Sequence, residues 1–189
     1  SDVYKRQASR HVTWDESADS LILSGNLDVN DGTIKLDGNY PTGTQNVALG
    51  DTALDSVQAG GNKNTAIGHA ALTTVTTGDD NTAIGFGALE VNTGSSNTAV
   101  GKSSLQSNTT AASNTAVGVC SLNANTTGAD NVGIGIVALA ANTEGSCNVA
   151  VGAGALDANT TGVKNTAVGT NALGANTTAA NNTCLLYTS

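Results

Sequence analysis

From Asn46 onward the apolar positions recur with a period that is neither helical nor a plain strand alternation. A polar Asn-Thr pair is followed by Ala, a branched Val or Ile, and Gly. Two variable places then lead to Ala-Leu, and a polar Asn-Thr-Thr-Gly closes the unit. The unit N-T-A-[VI]-G-x-x-A-L-x-x-N-T-T-G-x-x is written eight times, opening at Asn46, Asn64, Asn81, Asn97, Asn114, Asn131, Asn148 and Asn165. The steps between openings are 18, 17, 16, 17, 17, 17 and 17 residues, and a ninth unit starts at Asn182. A fixed period of this length signals a solenoid or an array. The Ala-Leu segments are too short for helices, and Gly follows each apolar run. Asn-Thr-Ala-Val-Gly, with β-branched residues at alternate places, predicts a short strand. Asn-Thr-Thr-Gly carries turn residues and a second possible short strand. The expectation is an all-β chain: a parallel β-solenoid of about eight coils, each with two strands and two bends. Coils stacked about 4.8 Å apart would span roughly 38 Å. The steps of 16 and 18 place a deletion near Gly94 and an insertion near Gly60, both at repeat ends.

Strand geometry sends alternate side chains to opposite faces. Asn, Ala and Gly of the strand then share one face, small enough for a narrow interior, with Thr and Val on the other. The Leu four places after each Gly completes the expected internal ladder: Leu54, Leu72, Leu89, Leu105, Leu122, Leu139, Leu156 and Leu173. The outward face carries Leu49, Ile67, Ile84, Val100, Val117, Ile134, Val151 and Val168. An apolar stripe of about 38 Å by 10 Å approaches the size at which exposed patches imply a partner. Another copy of the chain is the simplest one, so these eight residues are the expected trimer interface. The opposite assignment, Val inside and Ala outside, gives a monomeric solenoid. The opening Asn of each unit suits either a side-chain amide ladder between coils or a local turn.

Residues 8–45 are different in kind. His11–Asp15, Leu21–Leu23, Asn26–Val29 and Thr33–Leu36 read as short strands, with a tight turn at Asn30-Asp31-Gly32. Such strands bury little alone. We expect a small β-rich shaft or adaptor, with Trp14 in a packing role. Residues 1–7 (SDVYKRQ) and 184–189 (CLLYTS) back-translate, with suitable codons, to one DNA word in inverted orientation. The word resembles the transposase adapter of sequencing libraries. Both segments are therefore set apart from the fold as translated adapter, leaving the solenoid at residues 46–183.

Composition narrows the function. The net charge is −8, and setting aside Asp2, Lys5 and Arg6 (a net +1) makes it −9. No basic patch exists, which argues against nucleic-acid binding. Aromatic residues make up 3% and Met is absent, so a globular core of large side chains is not expected. Cys120 and Cys147 hold different places in their units, which gives no disulfide or metal ladder. His11 and His69 are isolated. Asp79, Asp80 and Asp130 never stack as the converging carboxylates a glycosidase needs. The calcium-binding nonapeptide pattern and the acyltransferase hexapeptide period are missing. No enzyme activity, cofactor, metal or membrane insertion is expected. Asn-Thr-Thr at Asn108, Asn125, Asn159 and Asn176 matches a glycosylation acceptor only because the repeat generates it.

Asn114-Thr-Ala-Val-Gly with its downstream Ala-Leu resembles the repeats of trimeric autotransporter adhesin heads, which form left-handed parallel β-rolls of three chains. The unit here is longer than theirs. Together with Asn125-Thr-Thr-Gly, Val12–Leu21 and Gly32–Gly43, it resembles more closely the tail-fibre proteins of marine tailed phages. The resemblance covers nearly all of residues 8–183. It implies a structural and adhesive segment of a virion tail fibre, an elongated homotrimer that supports attachment to a host-surface receptor of glycan or protein. A bacterial surface adhesin is the alternative within that class. An ice-binding solenoid is the rival outside it, suggested by the row Thr93, Thr109, Thr126, Thr143, Thr160 and Thr177.

Overall fold

The structure, a computed structural model, describes residues 12–15, 20–23, 45–56 and 60–186. The chain divides into two compact units, Ser1–Lys35 and Leu36–Ser189. In the first, β1 (Val12–Asp15) and β2 (Ser20–Leu23) pair antiparallel, with Val12 opposite Leu23. They are the first two of the four strands expected there. The segments 26–29 and 33–36, the turn at 30–32, the Trp14 side chain and the tag at 1–7 lie outside the described residues.

The second unit is a parallel β-solenoid. Its strands are β3 (Val47–Leu49), β4 (Thr65–Ile67), β5 (Thr82–Ile84), β6 (Thr98–Val100), β7 (Thr115–Val117), β8 (Val132–Ile134), β9 (Val149–Val151), β10 (Thr166–Val168) and β11 (Thr183–Leu185). All nine form one sheet in chain order. The register repeats from level to level: Ala66 lies opposite Ala83, and Ile67 opposite Ile84. Each turn of the solenoid thus contributes one three-residue strand, not the two expected. The Asn-Thr-Thr-Gly edge is bent rather than extended. Its levels are still joined, because Thr109 N–H donates to the Thr126 carbonyl at 3.1 Å and Thr126 N–H to that of Thr143 at 3.0 Å. The Thr hydroxyls donate to the same carbonyls. A side-chain hydroxyl there takes up acceptor capacity that a second strand would have used.

The interior is thin. Ala66, Ala83, Ala99, Ala116, Ala150 and Ala167 of the strands are fully buried, and so are the Leu residues from Leu72 to Leu156. Leu54 is buried at the first level, whereas Leu173, near the other end, is only partly covered. All eight Leu residues sit at positive φ, between 49° and 55°. That conformation costs an L-residue roughly 1–2 kcal/mol. Full burial of a Leu contributes about 1.5–3 kcal/mol. Burial therefore matches or exceeds the strain, and the backbone gains as well: Leu122 N–H donates to the Ala138 carbonyl of the next coil at 2.9 Å. The Gly ending each strand has a stricter reason. Gly118 has φ +131°, and a Cβ there would lie 2.5 Å from the Gly135 carbonyl oxygen of the next level.

β11 includes Cys184 and Leu185, which the DNA argument set apart. They continue the ladder through backbone bonds, as Thr166 N–H donates to the Asn182 carbonyl at 2.8 Å. Any side chain permits such bonds, so the pairing is independent of the origin of these residues.

Leu122→Ala is expected to destabilise the solenoid by about 2–5 kcal/mol, from the cavity it leaves. Leu122→Gly should be no worse than Leu122→Ala, reversing the usual order, because Gly adopts positive φ freely. Urea unfolding of both variants checks this; a Gly variant clearly less stable than the Ala variant would contradict the strain argument.

Candidate functional site

Two columns of buried Asn shape the interior, and one apolar corner marks the exterior. The opening Asn of each unit does two things. In Asn131, Nδ2 donates to the Gly145 carbonyl at 2.8 Å, tying the start of a coil to its own end. The Asn131 N–H donates at 3.0 Å to Oδ1 of Asn114, the opening Asn of the coil before. The same pair recurs at Asn64, Asn81, Asn97, Asn114 and Asn165. The span of the closing bond absorbs the irregular repeats. It is 14 residues in most coils, 15 from Asn46 to Gly61, and 13 from Asn81 to Gly94. The opening Asn is therefore chiefly a side-chain-to-backbone closure, with longer amide-to-amide contacts such as Asn131 to Asn114 at 3.2 Å.

A second column was not singled out from the sequence as a ladder. Asn92, Asn108, Asn125, Asn142, Asn159 and Asn176 stack so that each Nδ2 from Asn108 on donates to Oδ1 of the Asn one level before, at 2.7–3.0 Å. Each Nδ2 from Asn108 to Asn176 also reaches a carbonyl three residues on, as Asn125 does to Gly128 at 2.9 Å. Val75, fully buried, occupies the same place one level before Asn92. The signal was present: an Asn at one fixed place in six successive units. Asn108, Asn125 and Asn159 are wholly buried, so the Asn-Thr-Thr triplets there are structural. Every buried side-chain nitrogen and oxygen among the described residues has a partner. A made hydrogen bond contributes about 0.5–1.5 kcal/mol net, whereas a buried unmade one costs about 1–3 kcal/mol. The columns thus act above all against misregistered stacking.

Outside, in β4 to β10, the first residue (Thr or Val) and the last (Val or Ile) face away from the buried central Ala or Gly. Leu49, Ile67, Ile84, Val117 and Ile134 are exposed, and Val100, Val151 and Val168 are half-buried in their stack. No charged residue occupies either outward strand column at any level, β3 to β11. The exposed apolar surface is wider than the expected stripe. Two places after the Val or Ile, beyond the Gly, stand Phe86, Val119 and Ile136, also exposed. No regularity in the sequence exposed this column, because Asp51, His69 and Lys102 hold the same place in other units.

The remaining candidates are dispersed. His69 Nε2 lies 3.7 Å from Asp51 Oδ2, and its ring stacks on Phe86 with centroids 5.1 Å apart. Asp79 Oδ1 accepts the Asn62 N–H at 2.7 Å. Cys120 and Cys147 are free thiols. Among the described residues no three His, Cys, Asp or Glu side chains gather in a way that could hold a metal. The chain matches no protein-family model, no curated protein and no solved structure.

Asn125→Asp removes the donor to Asn108 Oδ1 and buries a carboxylate, with an expected loss of roughly 3–5 kcal/mol at neutral pH. Burial raises the folded-state pKa of this introduced carboxyl above its unfolded value. The native variant then binds the extra proton first, and the deficit relative to the parent shrinks as pH falls towards 4. Urea unfolding of variant and parent at pH 7 and about pH 4 checks it; a deficit independent of pH would show that the carboxylate is not buried.

Proposed function

We propose that this chain is a structural and adhesive segment of a phage tail fibre, an elongated homotrimer that carries host attachment at the virion surface. The observation supporting it is the long outer face of Thr or Val and Leu, Val or Ile, without a charge on the eight levels from β3 to β10. A solenoid satisfies its interior polar groups within the chain, so such a face has no internal use. Three copies around an axis would cover it and close on themselves without growing into an open filament. The likeness of Asn114–Gly118, Asn125–Gly128 and Val12–Leu21 to tail-fibre repeats supplies the virion part of the reading. The role is mechanical rather than catalytic: stacked ladders resist unravelling, and repeated levels present many weak contacts at once.

Ice binding finds less support in the row proposed for it. Thr93, Thr109, Thr126, Thr143 and Thr160 each donate the hydroxyl to a carbonyl of the next coil, at 2.7–3.2 Å. Those hydroxyl protons are already committed within the protein. For the owner of the fibre, the genes flanking the reading frame decide. Baseplate or tail genes fit a virion, and an outer-membrane anchor domain fits a bacterial adhesin.

The chain is expected to sediment as a trimer at micromolar concentration. Ile134→Asp should dissociate it, since one charge per chain would be desolvated at a single level of the axis, while Asp at exposed Thr127 should not. A folded, monodisperse monomer of the parent chain would refute self-association.

A further inference from the structure

The outer strand column alone is a poor interface, and the structure supplies what it lacks. A strip of about 38 Å by 10 Å offers roughly 400 Å², about half of what each partner of a stable interface buries. Symmetry adds a second demand. In a ring of three, the contact is heterologous: one side of each chain meets a different side of the next. Each copy must therefore present two dissimilar apolar surfaces.

Phe86, Val119 and Ile136 form such a second surface. They are exposed at 52%, 43% and 59%, where Ile134 in the strand column is exposed at 40%. The two columns are separated by a Gly with φ near +130°, where the chain leaves the sheet. They flank one corner of each coil. The second column carries charge only on the earlier levels, at Asp51 and Lys102, with His69 between them. From Val119 on it reads Val119, Ile136, Ala153 and Thr170, without charge. Over those levels an apolar ledge faces outward beside the uncharged strand face. Over those levels the second column adds to the roughly 400 Å² of the strip and brings it nearer the size a stable contact needs.

Resting on the trimer reading, we infer that Phe86, Val119 and Ile136 are a second self-association surface, packed against the Val and Ile column of the neighbouring copy. The occupant is a second copy of this chain, because its strand face is apolar, uncharged and repeats at the same spacing as the ledge. Lys102, with a long aliphatic stem, can cover apolar surface while its ammonium stays in water. The contact is therefore tightest from Val119 onward.

The test is sedimentation of the full chain and of Ile136→Asp, with circular dichroism to follow folding. The parent is expected to be a trimer and Ile136→Asp a folded monomer. A trimeric Ile136→Asp would overturn the second surface and leave the trimer standing. A monomeric parent would overturn both, and a dimeric parent would overturn the heterologous contact. If Ile136→Asp fails to fold, disulfide trapping decides. Chains carrying Ile134→Cys and chains carrying Ile136→Cys are mixed in a background with Cys120, Cys147 and Cys184 changed to Ser. Disulfides joining position 134 to position 136 support the inference; disulfides only between like positions overturn it.

Discussion

Closure of each coil by an Asn side chain is the interaction on which the rest of this solenoid depends. A turn of about seventeen small residues has little apolar area with which to hold its ends together. Asn131 Nδ2 on the Gly145 carbonyl supplies the tie, and the Asn114 oxygen on the Asn131 N–H passes it between levels. Because the amide is a donor and an acceptor at once, one side chain can serve both directions. The second column, from Asn92 to Asn176, does the same at the bend and removes the need for a second strand. Both columns are buried among Ala, Gly and Leu, where an unpaired amide would be expensive. A slipped coil would break the pairing, and stacking in register follows.

The period, the parallel strands and the face buried by Ala were legible in the sequence because each depends on alternation and repetition. The missing second strand was not, because Thr and Asn at the bend look extended by composition. Their side chains compete for the backbone carbonyls that a strand would use. The left-handed Leu was also beyond reading by propensity. Gly and Asn are the ordinary occupants of positive φ, and Leu122 at +51° is there because the interior rewards its volume. The second Asn column was visible as a repeat, yet Asn-Thr-Thr-Gly has the composition of an ordinary turn, which does not say that its Asn is inside. Ile136 and Val119 carried no periodic signal, so their exposure emerged only with the fold.

The columns divide the labour between a constrained interior and a variable exterior. The interior positions admit few residue types: Gly118 has no room for a Cβ, and Asn125 needs both halves of its amide. The outer places tolerate Asp51, His69, Phe86, Lys102 and Ile136 at one position of the unit. That position can therefore change its chemistry level by level without disturbing the ladder beneath. A solenoid built this way keeps one scaffold and varies its surface.

Hydrogen exchange of the Asn side-chain amides tests the central claim most directly. If the columns hold the coils closed, the Nδ2 protons of Asn125, Asn142, Asn131 and Asn148 exchange only with global unfolding, together with the strand N–H groups. Free side-chain amides in water would exchange far faster. Rapid exchange at Asn125 and Asn142 while the strands stay protected would contradict the account, because the coils would then be closed by something else.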